Sequence, residues 1–234
     1  MAIQHENFHL LYKLLDGLEP LENCILRSEG FMDLCVVVQD KNIEYIIVKM
    51  AHFYFNHNQM LPDPIMTLSI TPADLSVQAL DYTDANGMHQ KTYPDKNDEL
   101  YLDQKVEESL NTFLKLWLSN LLNQGHKKAD YSWKLKPQER NDQRYMFAGK
   151  MHVTQGVQEK LSPGDLGLII ISLQTFLASK NGFIDYLQVF EHSQTGEKIY
   201  AIDQLDEAML NGSDYSEEEK KQYNYFTILF AHEY

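Results

Sequence analysis

The first hydrophobic residues of the chain recur at helical spacing. Apolar side chains three or four positions apart lie on one face of an α-helix. Here they are Phe8, Leu11, Tyr12, Leu15 and Leu18. The residue before a proline disfavours helical backbone, so Glu19-Pro20 ends the predicted helix.

A strand-like alternation of apolar and polar residues then replaces the helical spacing. Period-two alternation is typical of strands that bury one face. The runs are DLCVVVQ, EYIIVKMAHFYF, IMTLSI, DLSVQALDY and MHQKTY. Asp40-Lys41-Asn42 and Asn86-Gly87 suit hairpin turns, and Pro62 and Pro64 predict a rigid bend before IMTLSI. The pattern predicts an antiparallel meander with one solvated face.

The clearest helix follows at residues 104–124. Its apolar residues form one stripe, at Leu110, Phe113, Leu114, Trp117, Leu118 and Leu121. Asp103 can cap the first N–H groups of this helix, and Gly125 can end it. Such a stripe must cover a surface, and the preceding meander is the natural one. We therefore predict an N-terminal α+β domain over residues 1–126.

A second helix-and-strand pattern predicts a C-terminal α+β domain over residues 146–234. Ser162 before Pro163, with Asp165 three residues later, is typical of a helix start. The following helix, LGLIIISLQTFLASK, is apolar on nearly all sides, which predicts extensive burial, and it ends at Asn181-Gly182. FIDYLQVF, EKIYAID and FTILFAHEY are candidate strands, and we expect the first and the last to be central. The acidic segment between the last two is expected to be mobile or helical.

The predicted fold class is therefore α+β, with two small units that are each an antiparallel sheet covered by one or two helices. Residues 127–145 are predicted to form a basic linker between them, since residues 127–150 carry a net charge of +4. A docking strip for an acidic face of the same protein, or for nucleic acid, is the alternative. Tyr186 and Tyr234 are expected to bury their rings and to keep their hydroxyls hydrogen-bonded.

Composition and charge narrow the class of protein. Of the 234 residues, 44% are hydrophobic and 23% are charged, and the formal net charge is −14. Such a charge repels nucleic acid and anionic membranes and favours basic partners, or it serves solubility alone. Cys24 and Cys35 are too few for a disulfide framework or a structural zinc site, and they are expected to be buried thiols. Since the sequence shows no signal peptide and no membrane span, we expect a cytoplasmic protein.

Both halves resemble bacterial families of unknown function. Over residues 146–234, the order VTQGVQEKL, DYLQVFEH, IYAID and FTILFAHEY resembles the domain of unknown function 960, although the acidic insert departs from that pattern. Over residues 30–126, VKMAHFYFNHNQMLPDPIMTLSI, ALDYTDANGMHQKTYP and SLNTFLKLWLSNLLNQGH resemble the domain of unknown function 6908. The resemblance implies an accessory protein of a plasmid, phage or integrative element, and it carries over no catalytic residue.

His52, His57 and Asp63 could supply metal ligands that lie close together in the sequence. However, His52 and His57 differ by five positions, so they point to opposite faces of a regular strand. No motif with metal-ligand spacing accompanies them. We therefore expect no metal site here.

A second set of histidines could support acid–base catalysis. These are His152, His192 and His232, which could converge with Glu191 and Glu233. Adjacent residues on a strand face opposite ways, and no phosphate-binding glycine loop, nucleophile elbow or zinc-binding cysteine pair occurs. We therefore expect no catalytic residue and no cofactor.

Two clusters of carboxylates are the candidate partner-binding residues. The first is Asp95, Asp98, Glu99 and Asp103; the second is Asp203, Asp206, Glu207, Asp214, Glu217, Glu218 and Glu219. Carboxylates at roughly phosphate spacing can satisfy the lysine and arginine donors of a DNA-binding groove. A solvated acidic face without a partner is the alternative.

These observations favour a non-enzymatic accessory protein of a mobile element. We expect it to bind a protein partner with a basic nucleic-acid-binding surface and to inhibit a host-defence nucleoprotein, as an anti-CRISPR or anti-restriction factor. The alternatives are a small nucleic-acid-processing or hydrolytic enzyme that uses the histidines, and a factor in plasmid maintenance or transfer. Direct nucleic-acid binding is expected only through the basic linker, and no membrane partner is expected.

Overall fold

The structure, a computed structural model, describes residues 2–56, 59–96, 99–140 and 142–234. The chain divides into two compact units. Unit 1 contains Met1–Asp130 and Pro163–Leu168, and unit 2 contains Tyr131–Ser162 and Ile169–Tyr234. Each unit contains one large β-sheet together with helices. The predicted α+β class with two sheet units is confirmed.

Unit 1 contains a seven-stranded sheet and two long helices. The helices are α1 (Ile3–Leu14) and α2 (Gln104–Asn123). The strands of the sheet are β1 (Cys24–Arg27), β2 (Leu34–Lys41), β3 (Ile46–Asn56), β4 (Gln59–Thr71), β5 (Ser76–Thr83), β6 (His89–Lys91) and β9 (Lys127–Lys128), while β7 (Asp95–Lys96) and β8 (Glu99–Leu100) form a separate ribbon. Their spatial order is β6-β5-β4-β3-β2-β1-β9, and neighbouring strands are antiparallel. The predicted meander is confirmed.

Local signals determine where the two helices of unit 1 end. The Asp103 carboxylate accepts hydrogen bonds from two N–H groups in the first turn of α2, as predicted. Gly125 has a φ of +80° just beyond that helix, a conformation that glycine adopts without steric cost. Helix α1 ends at Leu14, before the predicted end at Pro20, because the backbone leaves the helical conformation at Asp16 and Gly17, whose φ values are +54° and +102°.

The predicted bend at Pro62 and Pro64 is wrong, since both prolines lie inside strand β4. Pro62 pairs with Phe53 of β3, whereas β5 pairs with β4 over the later range Ile65–Thr71. The prolines thus lie where β5 does not pair with β4. A proline N atom that faces an unpaired edge costs no ladder hydrogen bond.

The core of unit 1 lies between the sheet and the two helices. Helices α1 and α2 contact each other and both contact β5. Their fully buried side chains include Leu11, Leu114 and Leu118, which belong to one continuous hydrophobic cluster with the central strands. Burial of apolar surface, at about 25 cal/mol per Å², is the main stabilising contribution to such a layer.

A buried asparagine on α2 connects both helices to the sheet. The Asn111 Oδ1 atom accepts a hydrogen bond from the backbone N–H of Ala79 on β5 at 3.1 Å and from the Asn7 amide on α1 at 3.4 Å. Its own amide donates to the Glu107 carbonyl at 2.9 Å. The register between β4 and β5 shifts next to the pair of Ala79 with Leu68. Asn111 therefore gives the buried N–H of Ala79 its hydrogen-bond acceptor.

Unit 2 contains a five-stranded sheet. Its strands are β10 (Trp133–Lys136), β11 (Lys150–Val153), β12 (Leu187–His192), β13 (Lys198–Asp203) and β14 (Tyr225–Phe230), and the helices of this part of the chain are α3 (Gln155–Lys160), α4 (Pro163–Ser179), α5 (Glu207–Asn211) and α6 (Glu217–Tyr223). The order is β10-β12-β13-β14-β11, with β11 and β14 parallel and the other pairs antiparallel. The central positions predicted for β12 and β14 are confirmed, and the acidic segment is helical.

The two faces of the unit 2 sheet differ in burial. Cross-strand partners lie on the same side of a sheet. One side carries Phe190, Ile199 and Phe230, which are fully buried. The opposite side, here called the half-buried face, carries Leu187, Val189, Tyr200, Ile202, Thr227 and Leu229. A ligand can therefore reach the sheet from the half-buried face.

Residues 127–145, predicted to be a linker, contain hydrogen-bonded strands. Strand β9 pairs with β1, and β10 pairs with β12. Glu139 and Tyr145 add isolated bridges to Ile184 and Asp206. Within the described ranges, no helix is both long and apolar enough to cross a membrane.

Candidate functional site

A pocket of about 540 Å³ lies on the half-buried face of the unit 2 sheet. Ile202 of β13 and Leu229 of β14 line it from the sheet. Tyr145, Tyr186 and Tyr234 line it from segments outside the strands. The pocket thus combines apolar side chains from the sheet with aromatic rings from the surrounding chain.

Two pairs of tyrosine rings lie at or beside this pocket, and Tyr145, Tyr186 and Tyr234 line it. The ring centroids of Tyr145 and Tyr186 are 6.1 Å apart, and those of Tyr200 and Tyr234 are 5.9 Å apart in an edge-to-face geometry. The charge of the Tyr234 phenol and its hydrogen bond with Tyr186 raise the pKa of Tyr186. Tilted and edge-to-face pairs at these distances are favourable arrangements of aromatic rings.

Hydrogen bonds hold the segments that carry these tyrosines. Tyr145 forms a backbone bridge with Asp206. Tyr234 follows a short 3-10 turn in which the Glu233 carboxylate accepts a hydrogen bond from the Thr154 hydroxyl at 2.7 Å and from the Phe230 N–H at 2.8 Å. The Thr154 hydrogen bond is the main reason that the pKa of Glu233 is lowered.

Asp203 lies at the end of β13, lines the pocket and is 6% exposed. Its carboxylate accepts hydrogen bonds from the backbone N–H groups of Phe147 at 2.7 Å and Gln204 at 3.0 Å. Burial raises the pKa of Asp203 to about 6, although these donors favour the ionised form. Asp203 is therefore a buried carboxylate that is mostly ionised at neutral pH.

Basic residues of the segment 127–145 pair with carboxylates of the same unit. The ion pairs are Lys136–Glu191 at 3.3 Å, Arg140–Asp142 at 2.7 Å and Arg144–Glu207 at 2.7 Å. Each side chain is at least one third exposed, so each pair contributes little to stability. Lys136 and Arg144 thus pair with carboxylates outside the segment, and Arg140 pairs with one inside it.

In unit 1, hydrogen bonds occupy the histidine that was a candidate metal ligand. His52 Nδ1 lies 2.9 Å from the Asp33 carbonyl oxygen, and Trp117 Nε1 donates to His52 Nε2 at 3.2 Å. Burial lowers the pKa of His52, which fits a neutral ring with its proton on Nδ1. The second candidate, His57, lies outside the described residues. In the part of the chain that the structure describes, no three His, Cys, Asp or Glu side chains could together hold a metal ion.

The histidines of unit 2 do not converge. His192 ends β12 and His152 lies on β11, with β13 and β14 between these strands. Three strand spacings correspond to about 14 Å. His192 stacks on Tyr131 with centroids 4.4 Å apart, and His232 stacks on Phe230 at 5.4 Å. His152 and His192 therefore lie too far apart to act on each other as an acid–base pair.

A family model described as a domain of unknown function, DUF6908, matches residues 6–127, which are more than half of the chain. The chain belongs to the DUF6908 family. The resemblance expected for the first half is therefore confirmed, and the DUF6908 region contains the sheet strands β1 to β6 and helix α2. No curated protein and no solved structure matches the chain.

The first predicted acidic cluster lies inside the DUF6908 region. Asp95 and Glu99 belong to the ribbon of β7 and β8, and Asp98 lies outside the described residues. Asp103 caps α2 with its carboxylate. One of the four carboxylates thus stabilises a helix end.

The second predicted cluster follows the DUF6908 region and separates into buried and exposed carboxylates. Asp203 and Asp206 are 6% and 4% exposed, Asp206 caps α5, and Glu207 pairs with Arg144. The exposed members are Asp214, Glu217, Glu218 and Glu219, and the last of these closes a capping box with Ser216. We call Asp214, Glu217 and Glu218 the α6 patch.

Sequence analysis missed the pocket. It predicted hydrogen-bonded hydroxyls for Tyr186 and Tyr234, and the interaction with Tyr234 raises the pKa of Tyr186. The predicted burial of their rings is wrong, since the two residues are 36% and 73% exposed. The sequence gives no indication that Tyr145 lines a pocket, because the other lining residues, from Tyr186 to Tyr234, lie far away in the chain.

Proposed function

We propose that this protein is a non-enzymatic binding protein that engages a basic, nucleic-acid-binding surface of a protein partner. The observation that supports this most strongly is the α6 patch, whose three carboxylates are all exposed. Carboxylates and phosphates satisfy the same lysine and arginine donors. The net charge of −14 adds long-range attraction for a basic partner.

The start of α6 presents the patch on an ordered element. Ser216 accepts a hydrogen bond from the N–H of Glu219, and the Glu219 carboxylate accepts one from the N–H of Ser216 at 2.8 Å. Glu217 is 83% exposed and contacts Lys220 at 2.9 Å. The Lys220 side chain is only 16% exposed, so the Glu217 carboxylate keeps most of its surface open to a partner's cation while it contacts Lys220.

We propose in addition that the partner is a host-defence nucleoprotein, and that the protein is an anti-CRISPR or anti-restriction factor of a mobile element. This setting is what the resemblance to the domain of unknown function 960, expected from the sequence of residues 146–234, would imply; the family match covers residues 6–127. A carboxylate-rich surface that occupies a nucleic-acid groove would inhibit such a partner without catalysis.

The test compares two variants with the same change in net charge. The patch variant carries Asp214→Asn, Glu217→Gln and Glu218→Gln, and the control variant carries Glu29→Gln, Glu44→Gln and Asp74→Asn at exposed positions of the DUF6908 region. Full-length protein captures partners from a bacterial lysate that contains an active CRISPR or restriction system. The captured protein is then purified, and its affinity is measured at several salt concentrations.

We expect the partner to be a nucleic-acid-binding protein that duplex DNA displaces from this chain. The patch variant should bind it at least about tenfold more weakly, and the control variant should bind it nearly as the wild type does. Affinity that is equal in the two variants would overturn the proposal, because total charge alone would then explain binding.

A further inference from the structure

The pocket of unit 2 has the composition of a cation-binding site. Tyr145, Tyr186 and Tyr234 line it, and each ring presents a negative π face or a polar hydroxyl edge. Organic cations bind over such faces, and cages of several aromatic rings are the usual sites for alkylammonium groups. A pocket meant for an anion would instead present lysine, arginine or free N–H groups.

Charge around the pocket has the sign that a cation requires. Asp203 lines the pocket at the end of β13, but its side chain lies on the opposite face of the sheet, on the side of its cross-strand partner Phe226. There its carboxylate oxygens accept backbone hydrogen bonds, so Asp203 contributes a buried negative charge behind the pocket and is not a direct ligand. Burial is the main cause that raises the pKa of the Tyr145 phenol; the charge of Asp206 raises it further, and the charge of Arg140 opposes this. Arg140 lies nearby, and its guanidinium already pairs with Asp142 at 2.7 Å.

We propose that this pocket binds an organic cation, namely an alkylammonium or guanidinium head group. The head group would contact the rings of Tyr186 and Tyr234, and its carbon atoms would pack on Ile202 and Leu229. A volume of about 540 Å³ accommodates such a head group together with a short aliphatic chain. The proposal does not depend on the proposed function, since the pocket and the α6 patch share no residue.

An alkylammonium or guanidinium head group can belong to a free small molecule. It can also belong to a peptide, as the side chain of a lysine or an arginine. We therefore titrate the full chain with choline, and separately with the capped amino acids Nα-acetyl-lysine amide and Nα-acetyl-arginine amide. The neutral isostere of choline, 3,3-dimethylbutan-1-ol, is the matched control ligand. Heat of binding and the NMR shifts of the tyrosine ring protons are measured.

We expect saturable binding of choline and at least about fivefold weaker binding of its neutral isostere. Tighter binding of a capped amino acid than of choline assigns the site to a peptide side chain, and the reverse order assigns it to a small molecule. Equal binding of choline and its isostere, or no saturable binding of any cation, overturns the proposal.

Substitutions locate the binding to the pocket. Tyr186→Leu should weaken choline binding about three- to fivefold, whereas Tyr186→Phe keeps the ring and should change it less than about twofold. Tyr234→Leu, at a residue that is 73% exposed, repeats the test where loss of folding is not expected. Tyr223→Leu, at an exposed tyrosine of α6, is the control. Equal weakening by Tyr223→Leu and Tyr186→Leu would place the cation elsewhere.

Discussion

Asp203 changes its protonation over a different pH range in the folded chain than in the unfolded chain. Burial raises its pKa from 3.8 to about 6. Between these values the folded state binds more protons, so the free energy of unfolding falls as the pH rises from about 4 to about 6. We predict that this group lowers the stability of the wild type by about 1–3 kcal/mol across that window.

Urea unfolding at several pH values measures the effect against a variant. Asp203→Asn should remove this part of the pH dependence, since the amide does not titrate. Asp214→Asn, at an exposed carboxylate of the same unit, should leave the pH dependence of the free energy of unfolding unchanged. The same pH slope for the wild type and Asp203→Asn would contradict the burial that the structure assigns to this carboxylate.

The burial of Asp203 and Asp206 also shows where sequence reasoning stops at the residue scale. Both residues lie in an acidic stretch, which predicts a solvated surface. Asp203 ends a strand and bonds to the Phe147 N–H, and Asp206 caps α5. Asp203 bonds to a residue from another part of the chain, so local composition could not identify its role, whereas the cap at Asp206 is a local signal that the charge of the stretch concealed.

At the scale of secondary-structure elements, Asn111 is the residue whose loss should be most costly. Asn111→Ala would remove the hydrogen bonds to Ala79 and Asn7 and would leave the buried N–H of Ala79 without its side-chain partner. We predict a loss of about 2–3 kcal/mol in the free energy of unfolding. Asn120→Ala, at an exposed position of the same helix, should cost much less, as measured by urea unfolding. Similar losses for the two variants would contradict the role of Asn111.

Elements that depend on local signals could be predicted from the sequence. The cap at Asp103, the end of α2 at Gly125 and the turn at Asn86-Gly87 depend on a few neighbouring residues, and all are present. The strand through Pro62 could not be predicted, because it depends on where β5 stops pairing with β4. Strand β10 was missed for the same reason, since its partner β12 lies far along the chain.

At the scale of the whole molecule, the candidate sites differ in how much the sequence reveals. The α6 patch is a run of neighbouring carboxylates, so its exposed part could be predicted from charge and helical spacing. The tyrosine pocket gathers side chains from Tyr145 to Tyr234, which only the order of the unit 2 strands brings together. A binding role is proposed for both sites, and among the described residues no group of three His, Cys, Asp or Glu side chains could hold a metal ion.

The most direct test of a binding function without catalysis is the protection of foreign DNA in living cells. A target plasmid is introduced into bacteria with an active CRISPR or restriction system, and transformation efficiency is measured for each expressed variant. The account predicts that the wild type and the double variant His152→Ala/His232→Ala protect the plasmid equally, whereas the patch variant does not. Protection that is lost with the histidines and kept without the α6 patch would contradict it.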